Sequence, residues 1–220
     1  MGNAFEIFAW LFALVLSVTV HEAAHGWVAW RRGDPTAMML GRVTLNPVKH
    51  VDPVGSIILP AILIFLHAPV FGWAKPVPVR ERLLKKPRLD FLLVSAAGVS
   101  ANLCLALLAG GVLRMIMSLL PPPGNESAAT LFFLRLAWVL QDIVMVNLVL
   151  FVFNLIPIPP LDGGRILGQI LPPRWSASYN RLQTYGILLL VILLSTGAFG
   201  RVVSAVIMPL FHAISGLGFG

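Results

Sequence analysis

Residues 8–30 read FAWLFALVLSVTVHEAAHGWVAW. An apolar run fit for a bilayer continues straight through His21, Glu22 and His25. A spanning helix needs about 20 residues with few charges, and an ionised carboxylate inside one costs several kcal/mol unless it has a partner. On a helix, His21 and His25 stand on one face, one turn apart. That spacing lets two imidazoles share one metal ion while Glu22 reaches a water beside it. Counting back from Trp30 at about 1.5 Å per residue, His21 lies roughly 14 Å inside the helix end. The motif is submerged, so this stretch decides fold class and chemistry together.

The composition agrees. Hydrophobic residues make up 58% of the chain and charged residues 11%, where a soluble domain carries about a quarter charged. The net charge of +7 sits in connections between apolar runs, as topology signals do. No soluble basic face interleaved with aromatics accompanies it, so nucleic acid is not an expected partner. Cys104, within ANLCLALL, has no second cysteine to pair with and is expected to pack as an apolar side chain. The N-terminus lacks the basic region and cleavage site of a signal peptide, so the first run is expected to stay as an anchor.

Apolar stretches at about 5–30, 54–73, 90–120, 131–156 and 183–213 predict an all-α polytopic membrane protein with about four to six transmembrane helices, in one membrane-embedded domain over 1–220. The loop AKPVPVRERLLKKPRLD (74–90), the loop after the first stretch and the segment holding Arg165, Arg174 and Arg181 are basic and read as cytoplasmic; PPPGNESAAT (121–130) has no basic residue and reads as outside. Both flanks of 54–73 then lie on one side. Pro60, Pro69 and Gly72 interrupt it, which predicts a re-entrant hairpin. The last stretch is broken at Gly197, Gly200 and Arg201. Alternation in MLGRVTLN (39–46) has the period of a strand and predicts a short membrane-associated β-hairpin whose edge, around Val43, captures an unwound substrate by strand addition.

A hydrolytic zinc takes three protein ligands and keeps one open position. His50, His67 and His212 are the remaining histidines, each a lone polar residue near a helix end. The better third ligand is Asp162. NLIPIPPLDGGRIL (154–167) stops the fourth stretch with prolines and follows Asp162 with two glycines that allow close backbone approach. That break brings Asp162 to the depth of His21 and His25. Two histidines and a carboxylate around one zinc per chain form a hydrolytic set.

The ordered segments HEAAHGWVAWRRGDPTA, GRVTLNPVKHVDPVGSIILP, FGWAKPVPV, AAGVSANL and NLIPIPPLDGGRIL resemble the site-2 protease family of intramembrane zinc metalloproteases, over about residues 15–170, in a compact form without PDZ or CBS domains. The resemblance implies His21, His25 and Asp162 as zinc ligands and Glu22 as catalytic base. It gives Asn154 and Asn102 roles in holding substrate or the oxyanion. Val99 stands where the family usually shows proline. The implied substrate is a transmembrane protein, with control by a membrane partner. The implied setting is the cell membrane of a bacterium or archaeon, the active site near its cytoplasmic side.

Other readings fit less well. A di-iron oxygenase needs more ligands than five histidines with one pair at ligand spacing provide. A metal transporter distributes polar residues along a path. A membrane protein that binds metal or substrate without cutting is the remaining alternative, and the retained Glu22 argues for cutting.

Overall fold

The computed structural model describes residues 2–65, 72–121 and 127–217. Ten α-helices run in order among them: α1 (Gly2–Arg31), α2 (Thr36–Met39), α3 (Leu59–Phe65), α4 (Pro87–Leu119), α5 (Ala128–Asn154), α6 (Asp162–Ile170), α7 (Pro173–Asn180), α8 (Gly186–Ser195), α9 (Ala198–Val202) and α10 (Met208–Ser215). Among the described residues four helical segments are long and apolar enough to cross a membrane: Ala4–Arg31, Pro87–Leu119, Ala128–Asn154 and Ala198–Ser215. A fifth exists if Pro173–Tyr185 and Leu188–Ser195, bent by 68°, form one broken span. The chain is a mostly helical, multi-pass membrane protein.

The centre is formed by α1, α4 and α5 packed on one another. On α1 every fourth residue points inward: Ala9, Ala13, Ser17, His21, His25 and Ala29 are all buried. Such a row of i+4 neighbours forms one ridge. Small residues along it let the neighbouring helices approach closely. The other face, with Phe8, Trp10, Leu11 and Phe12, is exposed for lipid. Helix α4 answers with Gly98, Asn102, Ala106, Ala109 and Gly110; α5 contributes Val144, Asn147 and Leu148. Cys104 lies on the exposed side of α4, outside this core, so the packing role expected of it is corrected.

Local chemistry fixes the helix ends. Pro87 occupies the first turn of α4, where its missing N–H is no loss, and the Asp90 carboxylate accepts the Lys86 N–H at 2.7 Å. Ser127 caps α5 by accepting the Thr130 N–H. Prolines 157, 159 and 160 separate α5 from α6. Gly197 is left-handed, φ 67°, which is where the last stretch breaks.

Two expectations about the connections turn out differently. Residues 39–46 form no strand, and none occurs among the described residues. Gly41 turns the chain at φ 64° and the Arg42 N–H returns to the Ala37 carbonyl. Thr44 Oγ1 and Asn46 Oδ1 then take the N–H groups of Asn46 and Val48. These side-chain bonds compete with a ladder, and Pro47 removes a donor. The β-hairpin is thereby corrected to a turn. Residues 53–65 are helical, about 20 Å long at 1.5 Å per residue and short of a span; Pro69 and His67 fall outside the described residues. The Trp73 N–H reaches the Gly55 carbonyl at 3.2 Å and Ser56 Oγ donates to the Trp73 carbonyl at 2.9 Å. The two ends of this stretch therefore meet.

Candidate metal centre

Helix α1 brings the two histidines and α6 brings the carboxylate. His21 Nε2 and His25 Nε2 lie 3.0 Å apart, and Asp162 Oδ2 is 3.2 Å from each. All three residues are buried. The outer nitrogens settle the tautomers. His25 Nδ1 lies 2.7 Å from the Val94 carbonyl, which only accepts, so Nδ1 carries the proton. His21 Nδ1 lies 2.6 Å from Asn102 Oδ1 and donates likewise. In the neutral rings that a metal ligand requires, both Nε2 atoms are then bare. Asp162 Oδ2, also buried, receives no hydrogen bond from the described residues. Three lone-pair donors converging without a hydrogen between them are unfavourable unless a cation lies among them. The donor set suits zinc.

Glycine makes room for it. A Cβ at Gly98 of α4 would stand 2.6 Å from His21 Cε1 and nearer still to His25 Nε2. Gly163 and Gly164 serve the carboxylate differently: a Cβ on either would strike the backbone of 155–159, so these glycines let the start of α6 press against the proline-rich turn. At the far end of α6, Arg88 clamps the helix, its guanidinium donating to the carbonyls of Gln169 and Leu171 at 2.6 Å each. Read from sequence as a topology charge, Arg88 also holds the helix that carries Asp162.

Glu22 is half-buried, and its Oε2 accepts the Val77 N–H at 2.9 Å. Val77 lies between Pro76 and Pro78, so its amide is the one N–H available across those three residues. This extended segment is held on both sides. The Lys75 N–H donates to the His50 carbonyl, and the Arg80 N–H donates to Asp34 Oδ2 at 2.6 Å. Asp34 is completely buried and also accepts the Thr36 N–H. Burial alone would raise its pKa; the hydrogen bonds from Thr36 and Arg80, with the Arg80 charge, outweigh that and hold the carboxyl below its ordinary value.

The structure separates the other candidates. Asn102 is fully buried behind His21, with both amide hydrogens given to Asn147 Oδ1 and the Ser17 carbonyl; it supports a ligand on the side away from Nε2. Asn154 is half-buried at the end of α5, its Nδ2 bonded to the Leu150 carbonyl. Val43 packs towards Gly26, one residue past His25. His50 is buried, with Nε2 2.9 Å from the Thr44 carbonyl, and His212 meets the Leu217 carbonyl. Neither joins the cluster, and among the described residues His21, His25 and Asp162 alone form a group that fits a metal ion. Sequence reasoning passed over Gly98, Val77, Asn147 and Ser17. The available signals were a lone amide in an apolar helix for Asn147 and a lone N–H between prolines for Val77.

A bundle of apolar helices that buries two bare imidazoles and a carboxylate defines a membrane-embedded metalloenzyme. The profile of Peptidase family M50 matches residues 9–195. "Putative zinc metalloprotease YwhC" of Bacillus subtilis is 42% identical over 186 residues, covering 84% of this chain and 80% of that one. "Putative zinc metalloprotease Rip2" of Mycolicibacterium smegmatis is 32% identical over 196 residues, 89% of this chain and 68% of its own. No solved structure matches. The chain belongs to Peptidase family M50, the site-2 protease family.

Proposed function

We propose that His21, His25 and Asp162 hold one zinc ion per chain and that Glu22 is the base and acid of peptide-bond hydrolysis. The chain is an intramembrane zinc metalloprotease, as its family and its zinc-metalloprotease relatives support. The observation that carries the ligand assignment is the convergence of two imidazole Nε2 atoms and a carboxylate oxygen, all buried, at 3.0 to 3.2 Å. When bound, zinc acts as a Lewis acid that makes water nucleophilic near neutral pH and polarises a carbonyl.

The protein's own part follows from Glu22. Its carboxylate takes a proton from the attacking water as the water oxygen bonds to the scissile carbonyl carbon. As the carbon–nitrogen bond breaks, Glu22 passes that proton to the leaving nitrogen. The Val77 N–H fixes one carboxylate oxygen, leaving the other to face the reaction. Burial of the ligands in a helical bundle keeps competing water away. Asn154, half-buried at the end of α5, binds the substrate backbone or its developing oxyanion.

The substrate is a transmembrane protein whose helix unwinds locally to expose its amides. The whole chain acts as one membrane-embedded domain in the cell membrane, under control of a membrane partner, with the site towards the cytoplasmic face. Support comes from the basic connections around 31–49 and 75–88 and from the roughly 14 Å depth of His21. Residues 53–65 form one arm of a segment that re-enters the bilayer, as the contact between Gly55 and Trp73 supports.

The decisive experiment measures zinc content and cleavage of a single-span substrate for the purified chain, Glu22→Gln and Asp162→Ala. Glu22→Gln keeps its zinc and loses on the order of 100-fold or more in rate. Asp162→Ala loses zinc and cleavage together. Near-normal cleavage by Glu22→Gln with zinc bound overturns the role given to Glu22.

A further inference from the structure

We propose that Asn147 and Ser17, acting through Asn102, are positioning residues that hold His21 in the tautomer leaving Nε2 free for the metal. The inference rests on His21 being a ligand and concerns how the fold keeps it one.

The three side chains form a continuous chain, and each is buried to 1% exposure or less. It leaves α1 at Ser17, crosses to Asn147 on α5, crosses again to Asn102 on α4, and returns to α1 at His21. Ser17 Oγ is 2.6 Å from the Ala13 carbonyl, Asn147 Nδ2 is 2.7 Å from Ser17 Oγ, Asn102 Nδ2 is 2.7 Å from Asn147 Oδ1, and Asn102 Oδ1 is 2.6 Å from His21 Nδ1.

An amide can turn over and exchange its donor and acceptor ends, so such a chain has two possible directions. Here backbone carbonyls forbid one of them. The Ala13 carbonyl only accepts, so the Ser17 hydroxyl donates to it and presents a lone pair to Asn147. Asn147 must then present its NH2 group, which also reaches the Ile143 carbonyl at 2.8 Å. Its oxygen consequently faces Asn102. Asn102 answers with its own NH2 group, whose second hydrogen goes to the Ser17 carbonyl at 3.3 Å. The Asn102 oxygen is left for His21, which must carry its proton on Nδ1. Were Asn102 turned over, its NH2 would face Nδ1, the proton would move to Nε2, and a hydrogen would occupy the place of the metal. Hydrogen bonding to the outer nitrogen of a ligand histidine governs its tautomer and basicity, and losing such a partner costs about 10- to 100-fold in metal affinity or activity.

A plain structural reading of the same residues is interhelical adhesion, since buried amides join membrane helices in general. The two readings differ in what they couple to. Adhesion affects the stability of the bundle. Polarity control affects metal affinity, and it becomes unnecessary if residue 102 cannot turn over. Asn102→Asp supplies such a residue, because a carboxylate only accepts and directs the His21 proton to Nδ1 without help.

The test measures zinc affinity of the detergent-solubilised full chain by competition with a chromophoric chelator, alongside the unfolding temperature of the metal-free protein. The variants are Asn147→Leu, Asn102→Asp and the two combined. Asn147→Leu is expected to weaken zinc binding about 10-fold. The combined variant is expected to bind zinc at least as tightly as Asn102→Asp alone, because losing the Asn147 oxygen that would face the carboxylate leaves the His21 tautomer directed by that carboxylate alone. Unchanged affinity in Asn147→Leu, or the same weakening in both backgrounds, overturns the inference even if the metal-free protein is less stable. Ser17→Ala gives a milder second comparison, the alanine variant binding zinc more weakly than the unaltered chain; equal affinities overturn the role of Ser17. An unaltered chain that binds no zinc refutes the metal centre itself, a result distinct from any of these.

Discussion

Two places along α1 put acidic and polar groups into an apolar helix packing, and they are built in opposite ways. Around His21 and His25, the outer ring nitrogens are each tied down, His25 to the Val94 carbonyl and His21 to Asn102, itself held by Asn147. One helical stretch earlier, Glu6 and Asp142 line a cavity of about 600 Å3 between α1 and α5, together with Trp10, Trp138 and Gln141. Neither carboxylate there takes a hydrogen bond or ion pair from the described residues. The first arrangement leaves no freedom to its groups; the second leaves them to whatever surrounds the protein. Fixed polarity, rather than polarity itself, marks the candidate metal centre, because a metal site needs its lone pairs held at one geometry.

The largest expected effect follows from Gly98. Gly98→Ala places a methyl group against two imidazoles that cannot move without breaking their outer hydrogen bonds. Zinc binding should fall at least about 10-fold, read by chelator competition; unaltered affinity would mean the histidines are less tightly held than the contrast requires. Val77→Pro should be next. It removes the N–H on Glu22 while suiting an already extended Pro-Val-Pro segment. Cleavage should drop about 10-fold with zinc retained, the lower end of the roughly 1.5 to 3 kcal/mol that a hydrogen bond to a charged group is worth.

Asp34 gives a smaller, pH-dependent effect. Its carboxyl is held below its ordinary value in the folded state, so its stabilising contribution is complete above the unfolded value near about 4. That contribution is lost as pH falls through the lower folded value. Asp34→Asn should lower the unfolding temperature at neutral pH, and the difference from the unaltered chain should shrink as the pH falls below about 4. A difference constant over that range would remove the carboxylate's role in holding the 74–80 segment. Smallest of all, Asp142→Asn should change zinc affinity and cleavage by less than about twofold, since no fixed partner is lost. A large loss of cleavage would show that the groove belongs to the working site after all.

Much of this was legible along the chain. The HEAAH spacing, the apolar stretches, the break at Gly197 and the Asp-Gly-Gly after three prolines are local patterns, and local patterns survive into the structure. Alternation over 39–46 misled because a strand needs a partner, and here Thr44 and Asn46 satisfied the backbone first. Asn102 was assigned to substrate because a motif gives a residue's neighbours in sequence, not which side of a histidine it occupies.

The sequence by itself determined that the chain lies in the membrane, that two imidazoles share one helix face and that a carboxylate waits beyond the fourth apolar stretch, since hydropathy and the 3.6-residue period are properties of consecutive residues. Only the tertiary structure decided which nitrogen of each histidine is bare, why Gly98 must lack a side chain, and that one amide between two prolines holds Glu22. Those follow from contacts between α1, α4, α5 and the 74–80 segment, where hydrogen-bond direction is imposed by carbonyls distant in sequence and adjacent in space.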